Sequence, residues 1–260
     1  MLNYQTVEKL CGMRLTAMAA EFKRQMDLPD LKQLSFEERF AMLVDAEWTS
    51  RENNRTKRLL NNAKMRLNAS LNDLDLSPER NLDRAEIARL SSLSWISQAK
   101  NMIITGPTGT GKTYLCCAFG NAACRRGFKT RYYRVSRLLA DLAVGHGDGS
   151  YNRLLKTLKK VDFLILDDFG LSPLTADQGR DLLEVIEDRS GLNSTIICAQ
   201  VPVSSWHALY ADSTVADAIL DRLVHDAFRI QLQGPSRRRA AAQRQEIPPQ
   251  PELDKDVKVQ

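Results

Sequence analysis

The sequence predicts an α/β protein: a five-stranded parallel sheet flanked by helices, preceded by a small all-α domain and followed by a disordered tail. Three observations carry this. From about residue 71 onward, short β-rich runs alternate with stretches of helical periodicity, as in parallel strands joined by crossover helices. The text "MIITGPTGTGKTYLCCAFG", 102–120, sets a strand-like run, a glycine-rich loop and a helical run end to end. Residues 1–70 contain no strand-like run.

The elements follow in order. Val7, Leu10, Leu15, Met18 and Phe22 recur every three to five residues, as do Phe36, Phe40, Leu43 and Val44, so this region reads as two or three amphipathic helices. "LPDLKQLSFEER" separates the first two, with Pro29 as a breaker and Ser35 with Glu38 as a capping box; the third carries a basic cluster. Strands are expected at 101–105, 130–134, 163–167, 195–200 and 227–232, with helices near 112–126, 135–143, 151–159, 175–189 and 215–225. "GHGDGS", 145–150, reads as a loop, because three glycines in five residues weaken a helix. The polar, proline-bearing text after Gly234 reads as disordered. Domain boundaries are therefore expected at 1–70 (helical), 71–235 (sheet) and 236–260 (tail).

Bulk properties narrow the class. The 260 residues are 43% hydrophobic, enough for one core and a smaller appendage. The apolar runs are too short to cross a bilayer and the start is polar, so a soluble, cytoplasmic protein without membrane association is expected. The cysteines at 11, 116, 117, 124 and 198 form no CxxC pair, and the histidines at 146, 207 and 225 lack ligand spacing, which argues against structural zinc and for reduced, buried thiols. The net charge of +5 is concentrated: 51–68 holds six basic residues against one acid, a surplus equal to that of the whole chain.

"GPTGTGKT" fits the phosphate-binding loop G-x-x-x-x-G-K-[ST], in the strand-to-helix context the motif needs. Gly106, Gly109 and Gly111 let the backbone N–H groups face phosphate oxygens, Pro107, Thr108 and Thr110 complete the loop, and Tyr114 opens the helix whose dipole favours the anion. Lys112 would neutralise β- and γ-phosphates, and the Thr113 hydroxyl would ligate Mg²⁺. "FLILDD" delivers two carboxylates to the ligand-binding end of a central strand. Asp167 is the candidate Mg²⁺ acid. Asp168 is the candidate for polarising water, with a turn or cap role as the alternative. Gln200 ends the next strand toward the γ-phosphate, or satisfies its own loop. Arg222 pairs with Asp226 or Asp221, or reaches a neighbouring subunit's phosphate; spacing alone favours the ion pair.

The order of "GPTGTGKT", "FLILDDFG", "STIICAQVPVSSWH", "ADAILDRLVHDAFRI" and "LQGPSRRR", together with "MRLTAMAAEF" and "LSFEERFAMLVDAEW", resembles the IstB-type transposition helper ATPases, a branch of the AAA+ class close to the DnaC helicase loaders. The match spans about 1–239. The resemblance implies an AAA+ P-loop fold and an ATP- and Mg²⁺-dependent protein that assembles on duplex DNA as a homo-oligomer. Its ATP sites would lie at subunit interfaces, and it would serve a partner transposase of its own insertion sequence. It also implies that Gln200 is the first sensor, Arg222 an arginine finger acting in trans, and Arg238 a second sensor, with Arg237 and Arg239 as alternatives in "SRRR". Two departures stand out. Asp168 replaces the usual Glu and is shorter by roughly 1.5 Å of reach, so hydrolysis is expected to be slow or stimulated by DNA or a partner. The chain also leaves little room for a helical lid after the fifth strand.

Arg51, Arg55 and Arg58 at i, i+4 and i+7 give a helix one basic face, joined by Lys57, Lys64 and Arg66. No aromatic interleaving is present, so phosphate-backbone contact to duplex DNA with little sequence preference is expected. The competing readings are a DnaC-like helicase-loading ATPase preferring single strands, and a small-molecule P-loop kinase.

Overall fold

A computed structural model of the chain describes residues 2–28, 31 and 33–237. Pro29, the second-sensor candidates Arg238 and Arg239, and the rest of the tail from residue 238 lie outside the described residues.

The N-terminal region holds α1 (Leu2–Gly12), α2 (Thr16–Asp27) and α3 (Phe36–Ala63). The break between α1 and α2 falls at Arg14, whose φ of 61° is left-handed, ahead of the "LPDLKQ" stretch predicted to divide the first two helices. Ser35 and Glu38 form the expected reciprocal capping box at the start of α3. One 28-residue helix, about 42 Å long, then runs through both the aromatic stretch and most of the basic cluster, where a separate third helix was expected. Lys64 caps it in a left-handed turn, so Lys64 and Arg66 lie beyond the helix. Phe36, Phe40 and Val44 do not form a core face: they are 67%, 51% and 42% exposed, with Trp48 at 68%. Helix periodicity identified a stripe, but few elements here cover it.

Two short helices unforeseen in the sequence, α4 (Arg84–Leu90) and α5 (Ser94–Ser97), precede the sheet. Then follow β1 (Met102–Thr105), α6 (Lys112–Arg125), β2 (Thr130–Arg134), α7 (Val135–Asp148), α8 (Tyr151–Lys159), β3 (Phe163–Phe169), α9 (Ala176–Glu187), β4 (Ser194–Ala199), α10 (Ser213–Val224) and β5 (Phe228–Gln231). All pairings are parallel, in the order β2-β3-β4-β1-β5. Strand alternation divides the core in two. Met102, Ile104, Phe163 and Ile165 face a cluster with Leu90, Trp95, Leu115 and Phe119. Ile103, Leu164 and Leu166 face the other with Leu138, Leu182, Trp206 and Ile219. The result is a sheet between two helical layers.

Two expectations are overturned. The "GHGDGS" stretch is not a loop up to its end: α7 continues through Asp148 and stops at left-handed Gly149. Gly145 is needed there because a Cβ would come within 2.9 Å of the Tyr151 backbone. His146 stacks on Tyr151 and meets Asp181 Oδ1 at 2.8 Å, so tertiary contacts outweigh the glycine cost. The thiols are not all reduced either, because α6 lays Cys116 on Cys198 of β4 and the two are joined as a disulfide; Cys11, Cys117 and Cys124 are free.

The C-terminal half of α3 is keyed to the sheet region. Met65 fills the space left by Gly120 on α6, where a Cβ would lie 2.2 Å from its terminal carbon. Arg131 of β2 donates to the Asn62 carbonyl at 2.8 Å. At the other end, Leu15 offers α2 no side-chain cap. Glu47 of α3 supplies one, accepting from Ala17 and Met18 N–H at 3.1 and 3.2 Å. Among the described residues, no helix is long and apolar enough to cross a membrane.

Candidate nucleotide site

The loop after β1 wraps a cleft of about 450 Å³ at the C-terminal end of the sheet. Its glycines are required by more than phosphate approach. Gly106 and Gly109 have φ of 148° and 85°, and a Cβ on them would strike the Leu232 carbonyl at 2.4 Å and the Ser236 hydroxyl at 2.1 Å. The segment after β5 thus lies against the loop, with Arg237 N–H donating to the Gly109 carbonyl at 3.0 Å. Lys112 Nζ is held inside by the Gly106 and Pro107 carbonyls at 2.7 and 2.8 Å. The Thr110 hydroxyl folds back onto the Pro107 carbonyl at 2.8 Å. Tyr114 lines the cleft, and its hydroxyl accepts from Ser70 N–H at 3.4 Å.

The carboxylates converge on the loop. Thr113 Oγ1 donates to Asp167 Oδ2 at 2.8 Å, and the Tyr132 hydroxyl donates to the same oxygen at 2.7 Å. Burial and the Asp167 hydrogen bond push the Tyr132 phenol upward, so it stays a donor. A bulge shifts the β3–β4 register between Leu166 and Phe169, and within it Asp168 takes φ of 59°. Asp168 Oδ2 then accepts from Arg134 Nε at 2.9 Å, with Arg66 NH1 3.7 Å away. Gln200, one residue past β4, accepts from Thr108 Oγ1 at 2.7 Å, tying the strand end to the loop.

Arg80 and Arg134 line the cleft without having been foreseen there, whereas Arg237 was an alternative for the second sensor. Arg80, in the turn Pro78–Arg80, is buried and donates to the Thr110 carbonyl, while its Nε has no partner among the described residues. Burial lowers its affinity for its proton, with Arg237 adding to the effect. Arg237 pairs with Asp75 and is the described member of "SRRR" that reaches the cleft. Arg66, expected to join the basic helix face toward DNA, lies beyond the end of α3 and lines the cleft. Nothing in single-residue spacing marks Arg80, Tyr132 or Arg134, which come together only through the sheet and the linker.

Arg222 stands apart. Asn101, just before β1, donates to the Arg222 carbonyl at 3.0 Å, which fixes it at the end of the strand away from the loop. Its guanidinium meets Glu187 of α9 at 2.5 Å, not Asp221 or Asp226, because α10 packs along α9. On α3, Arg51 donates to Glu47 at 2.8 Å and Arg55 sits 3.8 Å from Glu52; Lys57 and Arg58 are exposed.

The residues suit a nucleoside triphosphate with a hard cation. The loop N–H groups open a helix N-terminus, five cations line the cleft (Arg66, Arg80, Lys112, Arg134 and Arg237), and Thr113 with Asp167 offers two oxygens of the kind Mg²⁺ takes.

Comparison with known proteins agrees with this geometry. The chain is 47% identical over 239 residues to the insertion sequence ATP-binding protein y4pL of Sinorhizobium fredii, covering 92% of this chain and 98% of that one. It is 46% identical to the IS1162 ATP-binding protein of Pseudomonas fluorescens, covering 80% and 90%. In fold it is similar to the crystal structure of DnaI (TM-score 0.55, 23% identity, 68% of this chain and 94% of that). The same holds for the DnaC helicase loader (TM-score 0.51, 22% identity, 66% and 100%). The chain thus shares with these structures the fold of a five-stranded parallel sheet flanked by helices. Residues 8–245 match the family described as IstB-like ATP binding protein, and the chain belongs to that family.

Proposed function

We propose that this chain is an Mg²⁺-dependent ATPase that assembles as a homo-oligomer on duplex DNA and recruits the transposase of its insertion sequence. The observation that carries the reading is the closed set of Lys112, Thr113 and Asp167 at the loop, in a chain whose relatives are named insertion sequence ATP-binding proteins.

In this reading Lys112 exchanges its loop carbonyls for β- and γ-phosphate oxygens, and Thr113 with Asp167 holds Mg²⁺. The cation supplies charge neutralisation on the phosphates. Tyr132 keeps the Asp167 carboxylate oriented. Asp168 and Gln200 orient water. Arg237 and Arg80 add positive charge to the cleft. Arg222 acts on the nucleotide of an adjacent copy; its distance from its own loop favours a trans role, since β1 and its flanks separate the two. Residues 1–70 serve as the DNA and assembly domain and 71–235 as the ATPase domain. Arg51, Arg55, Lys57 and Arg58 line the phosphate-contacting face, with Lys64 at its end.

The test is duplex-DNA binding and particle size with and without ATP and Mg²⁺, beside Lys112→Ala. The expected outcome is large DNA-bound particles from the wild type only when ATP and Mg²⁺ are present, and none from the variant. A particle that stays monomeric and ignores duplex DNA in every state overturns the reading, and a preference for single strands supports the helicase-loading alternative.

A further inference from the structure

Arg66 belongs to two sets of charges at once. In the chain it closes the basic run that begins at Arg51, three residues beyond Ala63, the end of α3. In the fold its guanidinium lies 3.7 Å from Asp168 Oδ2, the oxygen that already accepts from Arg134 Nε at 2.9 Å. The Tyr132 phenol, whose hydroxyl holds Asp167, raises the affinity of Arg66 for its proton. Two cations beside Oδ2 fix the orientation of the Asp168 carboxylate and offset its negative charge, while Oδ1 keeps its lone pairs. The arrangement is held in place from behind. Met65 is seated against Gly120, and the Leu67 and Ala69 carbonyls accept from Asn121 Nδ2 at 3.5 and 2.8 Å. The Arg66 side chain itself is free to leave, being 41% exposed.

We propose that Arg66 is a positioning residue that switches between Asp168 and a DNA phosphate, so that duplex DNA on the basic face of α3 draws it off the carboxylate and permits ATP hydrolysis. The inference rests on the reading of the cleft as a DNA-coupled ATPase. A phosphate competes well for an exposed guanidinium, since it offers the same bidentate acceptor geometry as the carboxylate and stands beside further cations. Arg134, on β2 and away from the run, stays with Asp168 and sets how much of the restraint DNA leaves in place.

The experiment measures steady-state ATP turnover with and without saturating duplex DNA for wild type, Arg66→Ala, Arg66→Gln and Arg66→Lys, alongside affinity for a fluorescent ATP analogue. The expected result is DNA stimulation of the wild type. Arg66→Ala and Arg66→Gln turn over faster without DNA by about twofold to fivefold, the worth of a partly exposed ion pair, and gain little more when DNA is added. Arg66→Lys keeps the wild-type pattern, and turnover is compared at ATP concentrations that the measured affinities show to be saturating, so that loss of a cleft cation does not enter the stimulation ratio. A wild type that is stimulated while both neutral variants keep the same stimulation ratio overturns the switch but not the ATPase reading. A wild type that hydrolyses no ATP in either condition overturns both. Two neutral variants keep the test valid if one of them folds poorly.

Discussion

The sheet region and the N-terminal helices are built on different physics. From Leu90 onward the largest enclosed side chains, among them Phe119, Phe163, Phe169 and Trp206, are almost wholly buried, whereas before Arg80 the buried apolar residues are Val7, Ala19, Ala63 and Ala69 among those described. Hydrophobic burial scales with apolar area removed from water, so the sheet region carries the main stabilisation. The helical region is held by directed contacts, with Glu47 on the start of α2, Met65 against Gly120 and Arg131 on Asn62. Its aromatic and basic faces remain open. A site needing fixed geometry stands on the first region, and surfaces suited to partners stand on the second.

The largest expected effect tests whether the sheet region works alone. Arg222→Ala cuts ATP turnover of the assembled protein by about 10³-fold with ATP affinity unchanged. Mixing it with Lys112→Ala restores part of the activity, because some interfaces then combine an intact loop with an intact arginine. If turnover survives in Arg222→Ala, the residue belongs to the frame and not to the chemistry.

Next comes the frame itself. Arg189 is buried and donates to the Leu158, Val161 and Ser194 carbonyls at 2.6–2.7 Å, while burial lowers its pKa to about 10. Arg189→Met leaves those acceptors unpaired and lowers stability in urea unfolding by about 3 kcal/mol or more. A loss under 1 kcal/mol would mean that water replaces the guanidinium and that the contrast in stability is overstated.

A smaller effect probes the open face. Arg58→Ala lowers duplex-DNA affinity, and the slope of log K against log salt becomes shallower by about 0.9; ATP affinity stays at the wild-type value. An unchanged slope would remove this arginine from the DNA face.

The smallest effect lies at the α2–α3 junction. Its hydrogen bond to Arg51, reinforced by the α2 N–H groups, holds Glu47 below its ordinary value of 4.5. A depressed carboxylate contributes stability that is present above the ordinary range and lost as pH falls through the folded value. Acid titration followed by Trp48 fluorescence therefore shows the helical region loosening below pH 4.5 in the wild type, and Glu47→Gln is already loosened at neutral pH and flat across that range. A wild-type transition that persists in the variant would assign the contrast to other carboxylates.

Much of the sheet was legible because strand and helix periods are local. The strands at 130–134 and the helix at 151–159 were read to the residue, and the phosphate loop announces itself by spacing between two such elements. The meeting of Thr113 with Asp167 was also legible, since the loop after β1 that leads into α6 and the acids of β3 stand at the same end of the parallel sheet. The Cys116–Cys198 disulfide, 82 residues apart in sequence, and the continuation of α7 through its glycines were not. Each depends on which surfaces the packed helices bring together.

The sequence by itself determined the fold class, the loop and its lysine, the paired acids and the charge excess near residue 58, all of which rest on residue type at short spacing. Only the tertiary structure decided where the arginines point. It turned Arg66, Arg80, Arg134 and Arg237 into one cleft and carried Arg222 to the far end of β1. It also left Phe36 and Trp48 uncovered. A long cationic side chain on a turn or strand end can serve several neighbours, and spacing along the chain does not say which neighbour packing will supply.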